Sequence, residues 1–236
     1  MSIIIPVFNQ SRRLDESLEQ IRTYVIQTGT QTDVIVVDDG STDGTADVAR
    51  GFAAAPLKVV VLRNETRCGK GYSVKGGMLE ASGELLVMCD ADLSAPIWEV
   101  EKLLLWIGRG YGVVVGSRYM AESVLSPPQG MLRHALGKLF SRLRRCILLH
   151  DIRDTQCGLK CFRRDVARQV FPLQTINGFA FDCEVLALAR KMGHRIKEVG
   201  VVWGNKPDSR VRLLRDGIRM LLSLPVIRWR IGRPEC

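Results

Sequence analysis

The chain has no hydrophobic run of the roughly 18 residues that a membrane-spanning helix needs. Its longest late apolar stretch, MLLSLPVI, is interrupted by Pro225. No basic leader or cleavage site precedes the first apolar segment, MSIIIPVFN, so no signal peptide is expected. The three histidines, His134, His150 and His194, share no metal-ligand spacing. Seven cysteines, an odd number, form no CxxC pair. That pattern excludes a zinc ribbon, speaks against a disulfide framework, and leads us to expect reduced thiols in a cytoplasmic protein. There is no zinc-finger spacing, no RNP-type aromatic sequence and no aromatic interleaving of basic runs, so nucleic acid is not the expected partner. A P-loop is absent, as are internal repeats, low-complexity segments and any linker that would divide the 236 residues.

What the chain does have is an uneven charge. Residues 1–100 carry 9 basic and 14 acidic side chains, whereas residues 101–236 carry 25 basic and 11 acidic. With nucleic acid set aside, the basic half suits a phosphorylated substrate or an anionic membrane surface. Apolar runs ending in polar turns alternate with helical periodicities: strands at 2–8, from 33 into the DDGS turn, 57–64, 84–92 and 111–119, helices at 15–27, 45–54 and 97–107, and a glycine loop opening a helix over 69–82. This alternation predicts an α/β fold with a mainly parallel central sheet and helices on both faces. Ligands of such sheets bind at the carboxyl ends of the strands. Three strands here end in unusual chemistry: DDGS, DAD and GSRY.

The sharpest of these is ELLVMCDADLSAP (84–96), a buried-looking strand that ends in Asp90 and Asp92 with no adjacent basic residue. In an extended chain residues i and i+2 share a face, so the two carboxylates are expected to project together. Two such charges repel and resist desolvation unless a cation lies between them. Hard oxygen ligands suit Mg²⁺ or Mn²⁺. The same tripeptide also suits a solvated turn.

The set IIIPVFN (3–9), VVDDGSTDGT (36–45), GKG (69–71), DAD (90–92), VGSRY (115–119), DTQCG (154–158) and GFAFDCEVLALA (178–189) resembles the inverting glycosyltransferases of family 2, with the GT-A fold. Within that family it is most similar to dolichyl-phosphate β-glucosyltransferases and polyprenyl-phosphate mannosyltransferases. The resemblance implies one domain, with 1–119 as the nucleotide-sugar and metal half. The remaining 120–236 would form an acceptor half with basic amphipathic helices. It implies a nucleotide-sugar site at Pro6, Val7, Phe8, Asn9, Asp38, Asp39, Lys70, Asp90 and Ala91. There Asp38 and Asp39 would accept from uracil and ribose, and the GKG loop would offer backbone N–H groups at a helix start. Asp90 and Asp92 would hold Mg²⁺ or Mn²⁺ on the donor diphosphate. UDP-glucose is the favoured donor, with GDP-mannose as the other candidate. Gln10 departs from the pattern, since close relatives often carry Glu there.

A phosphate monoester acceptor needs cations and no base, and the resemblance implies Arg118 and Arg133, with Lys138, as its ligands. Arg118 could equally form an ion pair at the sheet edge. A hydroxyl acceptor would need a general base, for which Asp182 and Glu184 are candidates; both also suit the first turn of a helix. A soluble transferase for a glycan or protein hydroxyl and a non-catalytic nucleotide-sugar-binding module stay open. A long basic helix is expected over 131–149, with Arg142, Arg144 and Arg145 solvated or facing lipid. The tail SRVRLLRDGIRMLLSLPVIRWRIG (209–232) has Val211, Leu214, Ile218, Leu221 and Leu222 at helical spacing, Arg212, Arg215 and Arg219 on another side, and Trp229 between arginines. Such a helix can lie on an anionic membrane, making the protein peripheral, or pack on the domain's own core.

Overall fold

A computed structural model describes residues 1–53, 57–126, 142–204 and 213–232. Nine strands occur among them: β1 (Ser2–Val7), β2 (Asp33–Asp38), β3 (Lys58–Arg63), β4 (Leu85–Met88), β5 (Val113–Ser117), β6 (Val124–Ser126), β7 (Lys160–Arg163), β8 (Ile196–Gly200) and β9 (Val202–Gly204). Seven form one sheet in the order β3-β2-β1-β4-β7-β5-β8, and β6 pairs with β9 in a small parallel ribbon. All pairings in the large sheet are parallel except those of β7, which runs antiparallel between β4 and β5.

Alternation within the strands decides which face each side chain joins. In β1, Ile3, Ile5 and Val7 enter one core, and Ile4 the other. The first core is closed by α1 (Ser11–Thr28), α2 (Thr45–Gly51) and α4 (Val100–Gly108). The second is closed by α3 (Lys70–Glu80), α6 (Arg164–Val170), α7 (Phe181–Lys191) and α8 (Leu213–Gly232). Because both faces are covered, the central strands read as continuous apolar runs. Cys157 and Cys161 are core residues, and burial pushes their thiols up to about 12.

Several expectations are corrected. The sequence IKEVGVVW (196–203) reads as one strand but forms two, β8 and β9, and AESVLSPPQG (121–130), which reads as a loop, contains β6. The antiparallel β7 has no alternating pattern of its own length to announce it. Of the helix expected over 131–149, residues 142–147 (α5) are described as helical. Arg142 and Arg145 on it are exposed. Arg144, expected at the surface, is buried: its Nη1 donates to the Leu149 carbonyl and its Nη2 to the Arg153 carbonyl, each at 3.0 Å. Arg133 and Lys138 lie outside the described residues.

The tail helix α8 has two apolar faces. Leu224 and Ile227 are fully buried on the second core, flanked by Leu221 and Ile231. Ile218, Leu222, Val226 and Trp229, spaced by three or four residues and therefore on one side, are 57, 68, 44 and 57% exposed. No described helix is long and apolar enough to cross a membrane.

Candidate active site

The chain order places the site. From β1 the chain moves outward through β2 and β3, then returns to the opposite side of β1 as β4. The sheet therefore has a switch point between the carboxyl ends of β1 and β4, which is where open α/β sheets bind ligands. β1 pairs with β4 only over Ser2–Ile4, so the two strands part before Pro6. Phe8 and Asn9 leave one lip of this opening, and Asp90–Asp92 the other.

The carboxylates owe their placement to a turn. β4 ends at Met88, and Leu93 N donates to the Asp90 carbonyl at 3.0 Å. The extended alternation expected for Asp90 and Asp92 thus gives way to a tight loop, with Leu93 at φ 43°. Ser17 Oγ of α1 donates to the Ala91 carbonyl at 2.8 Å and anchors the loop. That leaves Ala91 buried, with its carbonyl engaged inside the chain. Asp92 Oδ1 accepts from Ser94 N at 3.0 Å and Ser94 Oγ at 2.8 Å.

Lys70, at the start of α3, is the cation facing this loop. Its Nζ is 2.7 Å from Asp90 Oδ1. Burial opposes the charge on both groups; their mutual attraction more than offsets it, raising Lys70 and lowering Asp90 from their ordinary pKa values. Asp92 moves the other way, pushed up by burial and by the neighbouring Asp90 charge. Gly158, on the loop before β7, makes room for this arrangement, since a Cβ there would overlap the Asp90 carboxylate. Two hard carboxylates that strain against each other, half-exposed at a strand end, suit a divalent cation that also takes diphosphate oxygens. Among the described residues no cluster of three or more His, Cys, Asp or Glu side chains could cage a metal alone. Mg²⁺ and Mn²⁺ fit that limit, because such ions are commonly shared with substrate phosphates.

The nucleotide side is more self-satisfied than expected. Asp39 is buried, and its oxygens accept from Asn64 Nδ2 (2.9 Å), Cys68 N (2.8 Å) and Gly69 N (2.9 Å). Three of about four acceptor positions are therefore filled by the chain. Asp38 is fully buried; one oxygen accepts from Ser41 N at 3.0 Å, and the other lies 3.4 Å from Arg63 Nε without a hydrogen bond. The GKG loop was expected to offer free N–H groups. Instead Gly69 N binds Asp39, and Gly71 N and Tyr72 N donate to the Asn177 carbonyl at 2.7 and 3.3 Å. Asn9 latches the first loop to the DDGS turn: its N donates to Ser41 Oγ, and its Oδ1 accepts from Thr42 N, both at 2.8 Å. Val7 is core, Pro6 and Phe8 are half-buried, and the Arg67 guanidinium sits 4.1 Å from the Phe8 ring centroid.

On the acceptor side the charged groups are paired. Arg118 Nε and Nη2 hold Asp154 at 2.7 and 2.9 Å, and Trp203 lies against the guanidinium at 5.0 Å. The ion pair weighed for Arg118 is thus present. Asp182 is 2% exposed and sits 2.7 Å from Lys160 Nζ, a lysine buried in mid-sheet. Glu184, 3% exposed, accepts from Thr175 N (3.0 Å), Ile176 N (2.8 Å) and Thr175 Oγ1 (2.7 Å). Both general-base candidates are thus buried, Asp182 beside Lys160 and Glu184 against the Thr175 and Ile176 backbone. Lys160, Gly158 and Asn177 were not singled out from the sequence. A lysine flanked by apolar residues in GLKCF was the one available signal.

The glycosyl transferase family 2 model matches residues 2–171. A dolichyl-phosphate beta-glucosyltransferase of Trichomonas vaginalis is 33% identical over 94% of this chain and 69% of its own length. The Homo sapiens dolichyl-phosphate beta-glucosyltransferase is 29% identical over 98% of this chain and 75% of its own. Among solved structures, glucosyl-3-phosphoglycerate synthase of Mycobacterium tuberculosis with Mn²⁺, UDP-glucose and phosphoglyceric acid superposes with a TM-score of 0.65 at 21% identity. That match covers 99% of this chain and 80% of the other. A Pyrobaculum calidifontis mannosyltransferase with GDP-Man and Mn²⁺ does so with a TM-score of 0.60 at 19% identity, covering 98% and 68%. The chain belongs to glycosyl transferase family 2.

Proposed function

We propose that the protein transfers glucose from UDP-glucose, with inversion, to the phosphate of a dolichyl or other polyprenyl phosphate. The observation that carries this reading is the state of the acidic groups. An inverting transfer to a hydroxyl needs a general base. Asp182 and Glu184 are both buried and engaged inside the chain. A phosphate monoester is already anionic near neutral pH and needs only to be held. The names of the relatives agree with this choice of donor and acceptor.

In this reading Asp90 and Asp92 hold Mg²⁺ or Mn²⁺. Such an ion, when bound, neutralises the charge that develops on the departing diphosphate. Lys70 keeps Asp90 ionised and brings a second positive charge to the same point. Phe8 and Arg67 offer an apolar and a cationic surface to the base, beside the Asn9 and DDGS latch. Arg118, oriented by Asp154, binds the acceptor phosphate, with Arg133 and Lys138 as further ligands.

The acceptor's lipid requires a surface contact. The exposed stripe Ile218, Leu222, Val226 and Trp229 on α8, with Arg215, Arg219 and Arg228 exposed beside it, suits the interface of an anionic bilayer. Each arginine near such a leaflet adds about 1 kcal/mol. Co-sedimentation with phosphatidylserine vesicles should be salt-sensitive and should fall at least fivefold in a Leu222→Glu, Val226→Glu double variant that melts like the parent. The activity itself is tested by offering purified protein UDP-glucose or GDP-mannose with a short polyprenyl phosphate or a free sugar. Glucose on the polyprenyl phosphate is expected. Transfer to the sugar hydroxyl alone would replace this reading with the hydroxyl-acceptor one.

A further inference from the structure

The segment between α6 and α7 ties three helices to one lysine. Glu184 in the first turn of α7 gathers the Thr175 and Ile176 amides and the Thr175 hydroxyl onto its two oxygens. The next carbonyl along, that of Asn177, accepts from Gly71 N and Tyr72 N. α3 has no side-chain cap, so this carbonyl satisfies amides that a helix start otherwise leaves without partners. Gln174 Nε2 adds bonds to the Gly71 and Ile176 carbonyls at 2.8 and 2.9 Å. Lys75 Nζ on α3 donates to the Pro172 and Gln174 carbonyls at 3.0 and 2.8 Å. Arg230 of α8 reaches the Thr175 hydroxyl.

The fit between segment and helix leaves no slack. A Cβ on Gly71 would overlap the Ile176 carbonyl, and one on Gly69, at φ 110°, would come within 2.5 Å of the Asn177 carbonyl. Between these two glycines sits Lys70, whose ammonium reaches Asp90 at 2.7 Å. Its position on the first residue of α3 means that its reach is set by where α3 begins.

We propose that Glu184 is a positioning residue: it folds the 174–177 segment onto the start of α3 and so fixes Lys70 against Asp90. The effect runs through backbone hydrogen bonds, and no proton is exchanged by Glu184. The proposal rests on the reading of Asp90 and Lys70 as the donor-diphosphate site. It differs from a general-base role in what a glutamine does. A glutamine side chain in place of Glu184 can still accept both amides on its one carbonyl oxygen, and the Thr175 hydroxyl can turn to accept from its NH₂. An alanine takes away the acceptor that the Thr175 and Ile176 amides share.

The experiment compares Glu184→Ala, Glu184→Asp, Glu184→Gln and Lys70→Met, together with the Glu184→Ala, Lys70→Met double variant. Amide exchange at Gly71 and Tyr72 reads the geometry; kcat and KM for UDP-glucose read its consequence. Glu184→Ala is expected to speed exchange at those two amides at least tenfold and to lower kcat at least tenfold. Glu184→Asp, one methylene short of the segment, should do the same and carries the test if the alanine variant does not fold. Glu184→Gln should stay within about threefold of the parent in both readouts. In the Lys70→Met background Glu184→Ala should cost kcat little more, because both changes remove one interaction. A glutamine variant as inactive as alanine, or losses that multiply in the double variant, would overturn the proposal. If the parent transfers no glucose, the functional reading fails, and the exchange rates still decide whether Glu184 positions α3.

Discussion

The turn after β4 and the first turn of α7 each carry two acidic residues two positions apart, and the fold treats them in opposite ways. Asp90 and Asp92 stand half-exposed at a switch point, facing one lysine from the side and pressing on each other. Asp182 and Glu184 are sealed, one against Lys160 and the other against three donors of the 174–177 segment. Like charges left short of partners at an opening can take a ligand cation. A buried carboxylate can instead hold backbone in place, as Glu184 does for the Thr175 and Ile176 amides. The first arrangement leaves stability unused and offers chemistry; the second fixes where that chemistry happens.

The contrast can be broken by exchanging burial for charge. Asp182→Asn should destabilise the fold by about 3–5 kcal/mol in denaturant melts, because it strands Lys160 in the interior. Asp154→Asn should cost a similar amount by stranding Arg118. At Asp154 burial works against the charge, but Arg118 more than offsets it and holds the carboxyl below its usual range. Its contribution is therefore complete above the unfolded-state value of about 4 and disappears as pH falls through the lower folded value. The gap between parent and Asp154→Asn should narrow over that acid range; a gap that widens there would reverse the assignment.

Asp90→Asn belongs to the other class. It should lower glucosyl transfer about 10²–10³-fold, the effect of losing one transition-state partner, with a melting temperature near that of the parent. Chelation should stop transfer in the parent and Mn²⁺ should restore it; full activity in excess EDTA would remove the metal from the mechanism. The smallest effect is expected at the exposed pair Arg163 and Asp165, where Asp165→Asn should shift stability by about 0–1 kcal/mol. A large loss there would show that burial is not what separates the two acidic turns.

The parallel strands, the helices covering them and the acidic turn after β4 were legible because each rests on local pattern. Apolar runs, glycine-bearing turns and an Asp-Ala-Asp at a strand end need no distant information. What escaped depends on long-range partners. Asp39 becomes a clamp because Asn64, Cys68 and Gly69 arrive from a different loop. Arg144 goes inward because the Leu149 and Arg153 carbonyls need a donor. Of the GKG amides, that of Gly69 is taken by Asp39 and that of Gly71 by Asn177, more than a hundred residues further on. The strand at 160–163 is short, carries a lysine, and takes its direction from neighbours on both sides.

That strand has a consequence for how the chain comes off the ribosome. β7 fills the middle of the sheet, yet it is made long after β4 and β5, the two strands whose edges it joins. Between the synthesis of Ser117 and that of Lys160 the nascent protein holds two unpaired apolar edges for roughly 2–9 s, at translation rates of about 5–20 residues per second. Open edges of this kind invite pairing with other chains. Pulling β7 out by early termination, or slowing its arrival with rare codons between 120 and 158, should therefore raise aggregation more than the same change placed after 204. Until β7 arrives, nothing joins β4 to β5.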